Sequence, residues 1–334
     1  MTTSSTPLLR VEDLTVDFHV RGSRVRAADH VSLSIEPGEI VGVVGESASG
    51  KSTLGLALMR MVPPPGRVSA SRIEFDGRDL LSLTDAEMRK IRGHEISLVV
   101  QDALSTMNPV TTVREQIVQV VRDHEGIRSR RLLEERAVQA LRDVQLPDAE
   151  ANLRRYPHEL SGGMQQRVAI AQGIILGPKL IIADEPTTAL DVTVQAGILA
   201  LLKQISDGGA SIIFITHDLS TVAEICDRVL VMYAGRIVES GTVAEVFADP
   251  QHPYTRGLLA SLLPLEGPPP ERLDAIPGQP PRPESWPSGC RFHPRCDLWR
   301  ALGEPENCRT EDPRPDETAP HWAACHYARE GAAR

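Results

Sequence analysis

Residues Gly45 to Ser52 read GESASGKS; they follow the apolar run Ile40 to Val44 and lead into the helix-favouring stretch Lys51 to Met61. The octapeptide fits the phosphate-loop pattern G-x-x-x-x-G-K-[ST]. Gly45 and Gly50 permit tight backbone geometry in which successive N–H groups point inward at phosphate oxygens. The helix that follows offers its positive end to the same anion. In such a loop Lys51 reaches the β and γ phosphates as a point charge, and the Ser52 hydroxyl ligates the Mg²⁺ that bridges them.

Around this loop the chain alternates. Leu9 to Phe18 and Arg24 to Ile35 read as strands, Pro37-Gly38 breaks the chain before the buried strand Ile40 to Val44, and Arg72 to Phe75 is a short strand closed by Asp76-Gly77. Thr84 to Ile91 reads as a short helix with Thr84 as its cap, and Ile96 to Val100 as an apolar strand. From Val113 to Arg155 the apolar period becomes 3.6, in Val113, Ile117, Val120 and Val121 and again in Leu132, Leu133, Ala137, Ala140 and Leu141, which predicts an inserted helical subdomain. Beyond Ser161 come a helix over GGMQQRVAIAQGI, a strand Lys179 to Ala183, a helix Val192 to Ile205, a strand Ser211 to Thr216 and a helix Leu219 to Ile225. Such alternation implies a largely parallel sheet covered by helices. Arg228 to Tyr233 and Arg236 to Ser240, joined at Ala234-Gly235, predict a closing hairpin. Nine prolines between Pro264 and Pro287 mark a linker, after which the segment from Ser288 carries few periodic apolar residues.

Bulk properties narrow the class. A chain of 334 residues, 41% apolar, is long enough for two domains with a proper core. Its apolar runs, such as Ser211 to Ile215 or Leu230 to Ala234, fall far short of the roughly 20 residues needed to cross a bilayer. The start, MTTSSTPLLRVEDL, lacks a basic region followed by an apolar stretch and a small-residue cleavage site, so a cytoplasmic protein is expected. A net charge of −9 without a long basic run argues against an extended nucleic-acid surface.

Two further motifs carry chemistry. Leu180 to Pro186, LIIADEP, is a buried strand ending in two carboxylates. Strand alternation sends Asp184 and Glu185 in different directions, so they can hold different jobs: Asp184 would bind the Mg²⁺ shell and Glu185 would polarise the attacking water, where general-base help is typically worth about 10²- to 10⁴-fold, the other reading being a solvated Asp-Glu turn. Leu160 to Arg167, LSGGMQQR, opens a helix at Ser161-Gly162-Gly163. Taken alone this is either an ordinary N-cap and turn or a second phosphate-binding helix end.

GESASGKS, Gln101 after a strand, LSGGMQQR, LIIADEP, TALD at Thr188 to Asp191 and THD at Thr216 to Asp218 occur in that order and spacing. Together they resemble the ATPase subunit of an ATP-binding cassette transporter over Leu9 to about Leu263. The resemblance implies an α/β P-loop NTPase core with an antiparallel β subdomain and an inserted α-helical subdomain (about 104–160) within a cassette spanning 1–263, then a linker at 264–287 and a small cysteine segment at 288–334. ATP contacts are implied for Gly45, Glu46, Ser47, Ala48, Ser49, Gly50, Lys51, Ser52 and Thr53, and Mg²⁺ contacts for Ser52, Gln101 and Asp184. Gln101 would sense the γ-phosphate, His217 would touch it, and Asp191 would lie across a dimer interface. Ser161, Gly162, Gly163 and Gln165 would bind ATP held by a partner subunit. Phe18 either stacks on adenine or faces the core.

QDALSTMNPV at Gln101 to Val110, VMYAGRIVESG at Val231 to Gly241, HPYTRGLLASL at His252 to Leu262 and GCRFHPRC resemble the oligopeptide, dipeptide and nickel importers within that family. Ala103 departs from their pattern, where proline is usual. This narrower resemblance implies uptake of a peptide or similar small solute through two separate permease subunits. It further implies a second, related ATPase chain, an external binding protein, and a place on the cytoplasmic face of the membrane. The alternatives are an importer of nickel or another small solute, a soluble cassette ATPase acting on nucleic acid or ribosomes, and a metal-sensing binding module that would rest on the cysteine tail alone.

Cys290, Cys296, Cys308 and Cys325 are separated by five, eleven and sixteen residues, with no C-x-x-C pair. The spacing selects no metal. One metal centre could fold a segment with so little core, and disulfides are disfavoured in a reducing cytoplasm. The resemblance implies a four-iron, four-sulfur cluster on these thiolates; zinc, with His293 or His326, and unligated thiols are the other readings. Cys226 reads as a buried small apolar residue.

Overall fold

The computed structural model describes residues 6–20, 22–188, 190–261 and 276–328. The first part of the expected linker, Ala189 of TALD and the last six residues lie outside these. The described residues divide into two compact units interleaved along the chain, one built around Gly77–Ile215 with Ile35–Ile40, the other from Leu9–Ser34, Val41–Asp76 and the chain from Thr216 onward.

In the first unit the strands Ile96–Val99, Leu180–Asp184 and Ser211–Thr216 run parallel, with Ile96 opposite Leu180 and Leu180 opposite Ser211. Ile181, Ile182, Ala183, Ile212, Ile213, Phe214 and Ile215 are all buried, as a parallel strand covered on both faces requires. The helical region holds Val113–Glu125, Arg130–Asp143, Ala149–Asn152 and Gly162–Ile174. A capping box between Thr112 and Glu115 starts the first of these. Val118 is buried in place of the expected Val120. Leu132 stays 42% exposed, because the buried stripe runs through Leu133, Ala137, Ala140 and Leu141 at helical spacing and Leu132 lies one residue's rotation away from it. Arg136 Nη2 donates to the Ile175 carbonyl at 2.9 Å and Arg167 Nη1 to the Val144 carbonyl at 2.5 Å, tying the helices together.

In the second unit Leu9–Val20 pairs antiparallel with both Arg72–Phe75 and Gly66–Ser69. Asp13, at φ 59, separates the two registers: Leu9 and Val11 are buried before it, Leu14 and Val16 after it. An irregular residue shifts the pleat by one and keeps apolar side chains on the core face. Ile40–Val44 runs parallel to Arg228–Tyr233, which pairs antiparallel with Arg236–Thr242 through a turn with Ala234 and Gly235 at positive φ. This is the expected hairpin, with a turn whose twist suits it.

The cysteine-bearing segment is folded by packing. Trp322–Ala323 adds a short antiparallel strand to Arg236–Thr242, and Phe292, 4% exposed, sits against Tyr233, Tyr254 and His252 at centroid distances of 5.2, 5.5 and 5.7 Å. The segment borrows core from the hairpin and from helix Pro253–Ala260, which sequence periodicity could not reveal. Cys226 is half-buried at the end of helix Leu219–Ile225, so it is less enclosed than expected.

Candidate nucleotide site

The phosphate loop connects strand Ile40–Val44 to helix Lys51–Leu58. Two of its glycines are forced. A Cβ on Gly45 would lie 2.1 Å from the Met232 carbonyl oxygen, and one on Gly50, at φ 103, 2.3 Å from that of Ala27. Ala48 is also left-handed, at φ 63, so the loop curls on itself. Lys51, 5% exposed, lies inside the curl: its Nζ donates to the carbonyls of Gly45 at 2.7 Å and Glu46 at 2.9 Å. The helix N-cap, Gly50, provides no side-chain hydrogen bond, so no side chain of the cap competes with an anion at that end. From outside, the Gly235 N–H donates to the Ser49 carbonyl at 2.9 Å and the Asp29 N–H to the Gly235 carbonyl at 2.8 Å. Ser47, Ala48 and Ser52 are exposed, Thr53 half-buried.

Glu46 is held on three sides. Its N–H donates to the Tyr254 hydroxyl at 2.8 Å, its carbonyl accepts from Lys51, and its carboxylate accepts from Arg295 Nη1 and Nη2 at 2.7 and 3.0 Å. Burial draws the Arg295 guanidinium down, but the Glu46 carboxylate and the Tyr233 hydroxyl outweigh it and the net shift is upward. Behind the hairpin turn, Asp29 is 1% exposed and pairs with Arg26, Arg236 and Arg291. Burial opposes its charge, yet the guanidiniums bring its pKa down to about 2. Tyr254 and Arg295 lie in the stretches HPYTRGLLASL and GCRFHPRC, which marked the narrower resemblance without assigning either residue to the nucleotide site, and Asp29 lies in no motif.

Phe18, in the same unit, is half-buried opposite Gly66, whose missing side chain leaves room for the ring: a Cβ there would lie 2.8 Å from Phe18 Cε1. His217 is exposed at the end of strand Ser211–Thr216, ahead of helix Leu219–Ile225, which Asp218 caps.

The other unit carries the carboxylates. Asp184 is the last residue of its strand, half-buried, and Glu185 leaves it at φ 47, with its N–H donating to the Ile215 carbonyl at 2.8 Å. The two side chains therefore diverge through a left-handed turn as well as through the pleat. A glutamate held in that region is strained, and such strain gathers at functional positions. Thr188 Oγ1 donates to Glu185 Oε2 at 2.8 Å and aims the carboxylate. Gln101 is exposed just past strand Ile96–Val99. Ser161 caps helix Gly162–Ile174, accepting from the Met164 N–H at 3.4 Å; a capping hydroxyl keeps its proton, so capping and donation outward are compatible. Gly162 is exposed and Gly163 half-buried, while Gln165 Nε2 donates to the carbonyls of Pro157 and Leu160, which ties it to the preceding turn. Asp191 caps helix Val192–Asp207, accepting from the Val194 N–H at 3.0 Å.

The four tail cysteines line one cavity with His293, Trp299 and Tyr327. Its volume is about 10 Å³, on the scale of a single water. Among the described residues no group of three or more His, Cys, Asp or Glu is placed to hold a metal ion. The cysteines thus converge, but as placed they do not fit an iron–sulfur cluster or zinc, and that expectation is not supported. Burial pushes the thiols up, Cys290 to about 12 and Cys325 to about 11, which favours the neutral form. His293 Nδ1 and His326 Nε2 each face a carbonyl oxygen, of Cys290 at 2.9 Å and of Glu311 at 3.0 Å, so neither nitrogen points at the thiols.

A phosphate loop between strand and helix, with a carboxylate pair ending a parallel apolar strand, defines a P-loop nucleoside triphosphatase. Residues 28–188 match the family model described as ABC transporter, and residues 238–301 the one described as oligopeptide/dipeptide transporter, C-terminal region. The chain belongs to the ABC transporter family, as an ATP-hydrolysing cassette that carries this C-terminal region. It is 49% identical to the oligopeptide transport ATP-binding protein OppD of Bacillus subtilis (strain 168) over 86% of this chain and 80% of that protein. It is 42% identical to the dipeptide transport ATP-binding protein DppD of Escherichia coli (strain K12) over 98% of both. Among solved structures, the ATP-binding cassette MJ0796 in a dimeric post-hydrolysis state bound to ADP and Pi superposes with a TM-score of 0.63 at 28% identity, covering 70% of this chain and 98% of that one. Among the described residues no helix is long and apolar enough to cross a membrane.

Proposed function

We propose that this cassette powers uptake of di- or oligopeptides through separate transmembrane permease subunits, fed by an external binding protein, from the cytoplasmic face of the membrane. One observation carries the reading: the ATPase core is joined in a single chain to the C-terminal region matched at 238–301, and relatives of this length are named for oligopeptide and dipeptide transport. On this reading the cassette spans 1–263, with a linker at 264–287 and the cysteine segment at 288–334. Gly45 to Thr53 cradle the phosphates, Phe18 stacks on adenine, and His217 contacts the γ-phosphate. Ser52, Gln101 and Asp184 bring a hydroxyl, an amide and a carboxylate, hard oxygen donors that suit Mg²⁺. The ion, when bound, neutralises charge on the phosphates. Glu185 polarises the attacking water.

A second, related ATPase chain completes the site in this proposal. Ser161 to Gly163 and Gln165 face ATP held by the partner, and Asp191 lies at the interface. Support for an interface comes from Val192, beside Asp191, which is an 84% exposed apolar side chain. The four thiols supply the donor set for a cluster or zinc only if they shift from their present positions; iron, zinc and acid-labile sulfide analysis of the purified chain decides this.

The test of the main reading is reconstitution of the complete transporter in liposomes with labelled dipeptide. ATP-dependent uptake that is lost with Glu185→Gln supports it. Uptake of nickel but not of peptide would move the assignment to the metal importers, and copurification with ribosomes in place of membrane subunits would move it out of transport altogether.

A further inference from the structure

The contacts around Glu46 reach beyond the loop itself. Arg295 lies 249 positions further along the chain and is 5% exposed, yet its guanidinium grips the Glu46 carboxylate with both terminal nitrogens. Its remaining donor, Nε, goes to the Pro277 carbonyl at 2.9 Å, and Nη1 also reaches the Tyr233 hydroxyl at 3.3 Å. Tyr254, fully buried, fixes the other side of Glu46 through its hydroxyl, and its ring lies 4.6 Å from that of Tyr233. The Glu46 carbonyl in turn holds Lys51. A continuous chain of contacts therefore runs from the tail segment, through Glu46, to the lysine inside the loop.

A buried ion pair is a poor device for raising stability, because desolvating both charges offsets most of their attraction. A two-pronged arginine contact is, however, a good device for fixing geometry. The loop it fixes contains left-handed Ala48 and must keep its N–H groups convergent to bind phosphate. A loop ordered in advance loses less entropy on binding.

We propose that Arg295 is a positioning residue of the nucleotide site, holding the phosphate loop in its binding conformation through Glu46, so that the tail segment is a working part of the ATP site. Arg295 touches no reacting atom. Its loss raises the cost of ordering the loop and leaves the chemical step intact.

The experiment is titration of the purified full-length chain with a fluorescent ATP analogue, alongside KM and kcat of the assembled transporter and the thermal midpoint of each variant. Arg295→Ala is expected to weaken ATP binding roughly 10-fold and to raise KM by a similar factor, with kcat at saturating ATP within about twofold of the parent. Arg295→Lys, which keeps the charge but not the fork, falls between. The exchange Glu46→Arg with Arg295→Glu recovers part of the lost affinity. Unchanged affinity in Arg295→Ala overturns the proposal. So does loss of affinity strictly in step with the thermal midpoint and unrelieved by the exchange, which marks a purely structural role. If the parent chain itself binds no ATP while folded, the nucleotide assignment fails along with the proposal; if the parent binds and Arg295→Ala binds equally, only the positioning role fails.

Discussion

Thr188 Oγ1 donates a 2.8 Å hydrogen bond to Glu185 Oε2, and Glu185 itself stands at φ 47 at the mouth of its strand. Backbone strain and a side-chain tether thus act on one carboxylate. Glu185→Gln is expected to lower ATP turnover by about 10²- to 10⁴-fold while leaving ATP binding in place. Thr188→Val removes only the tether and should lower turnover by roughly 2- to 10-fold, a positional effect smaller than loss of the base. Steady-state ATPase assays on the assembled transporter, with nucleotide titration as control, check both.

The loop glycines are constrained by neighbouring backbone. In Gly50→Ala the new Cβ would lie 2.3 Å from the Ala27 carbonyl oxygen, at a φ of 103 that L side chains avoid. A destabilisation of about 1–3 kcal/mol is expected, with ATP affinity reduced as well, since relief of the overlap must displace the residue that precedes Lys51. Thermal unfolding and ATP titration read the two effects separately.

Asp29 carries a pH signature. Its pKa of about 2 lies below the ordinary 3.8, so the folded state binds the proton less readily than the unfolded state. The stabilisation is fully present above pH 3.8 and is lost as pH falls through about 2. At neutral pH Asp29→Asn is expected to cost at least about 2 kcal/mol, and the gap to the parent should narrow as the pH is lowered from 4 to 2. Denaturant unfolding across that range measures it.

His252 acts in the opposite chemical sense with the same pH direction. It is fully buried, caps helix Pro253–Ala260 through Nδ1, and is lowered to about 3 by burial with Arg256 nearby. The unfolded state takes up a proton near pH 6.5 that the folded state refuses, so stability is full above 6.5 and falls between 6.5 and 3. His252→Asn retains a capping acceptor but cannot titrate, and its stability should be flatter over that interval. Unfolding midpoints at pH 7 and 5 compare the two.

The local parts of the machine are legible along the chain because each depends on neighbours in sequence. A phosphate loop needs its glycines, lysine and serine within eight positions, a buried parallel strand needs a continuous apolar run, and a helix start needs a cap three residues before its N3. Gly45 to Ser52, Leu180 to Glu185, Thr84 and Ser161 all follow from such rules. The tail did not follow: its composition suggested a segment with too little core of its own, yet Phe292 and Trp322 pack it onto the Arg228–Thr242 hairpin, and among the described residues its cysteines converge without forming a group placed to hold a metal.

Packing across long separations accounts for the rest. Glu46 in sequence is an unspecified position of a loop pattern; in space it joins Tyr254 and Arg295, more than two hundred residues away. Asp29 in sequence is one more charge in a strand, and in space it is the acceptor for three arginines. Which charges are buried, and what answers them, depends on strands and turns brought together by burial of apolar surface, and that collective event leaves no mark in any short window of the chain.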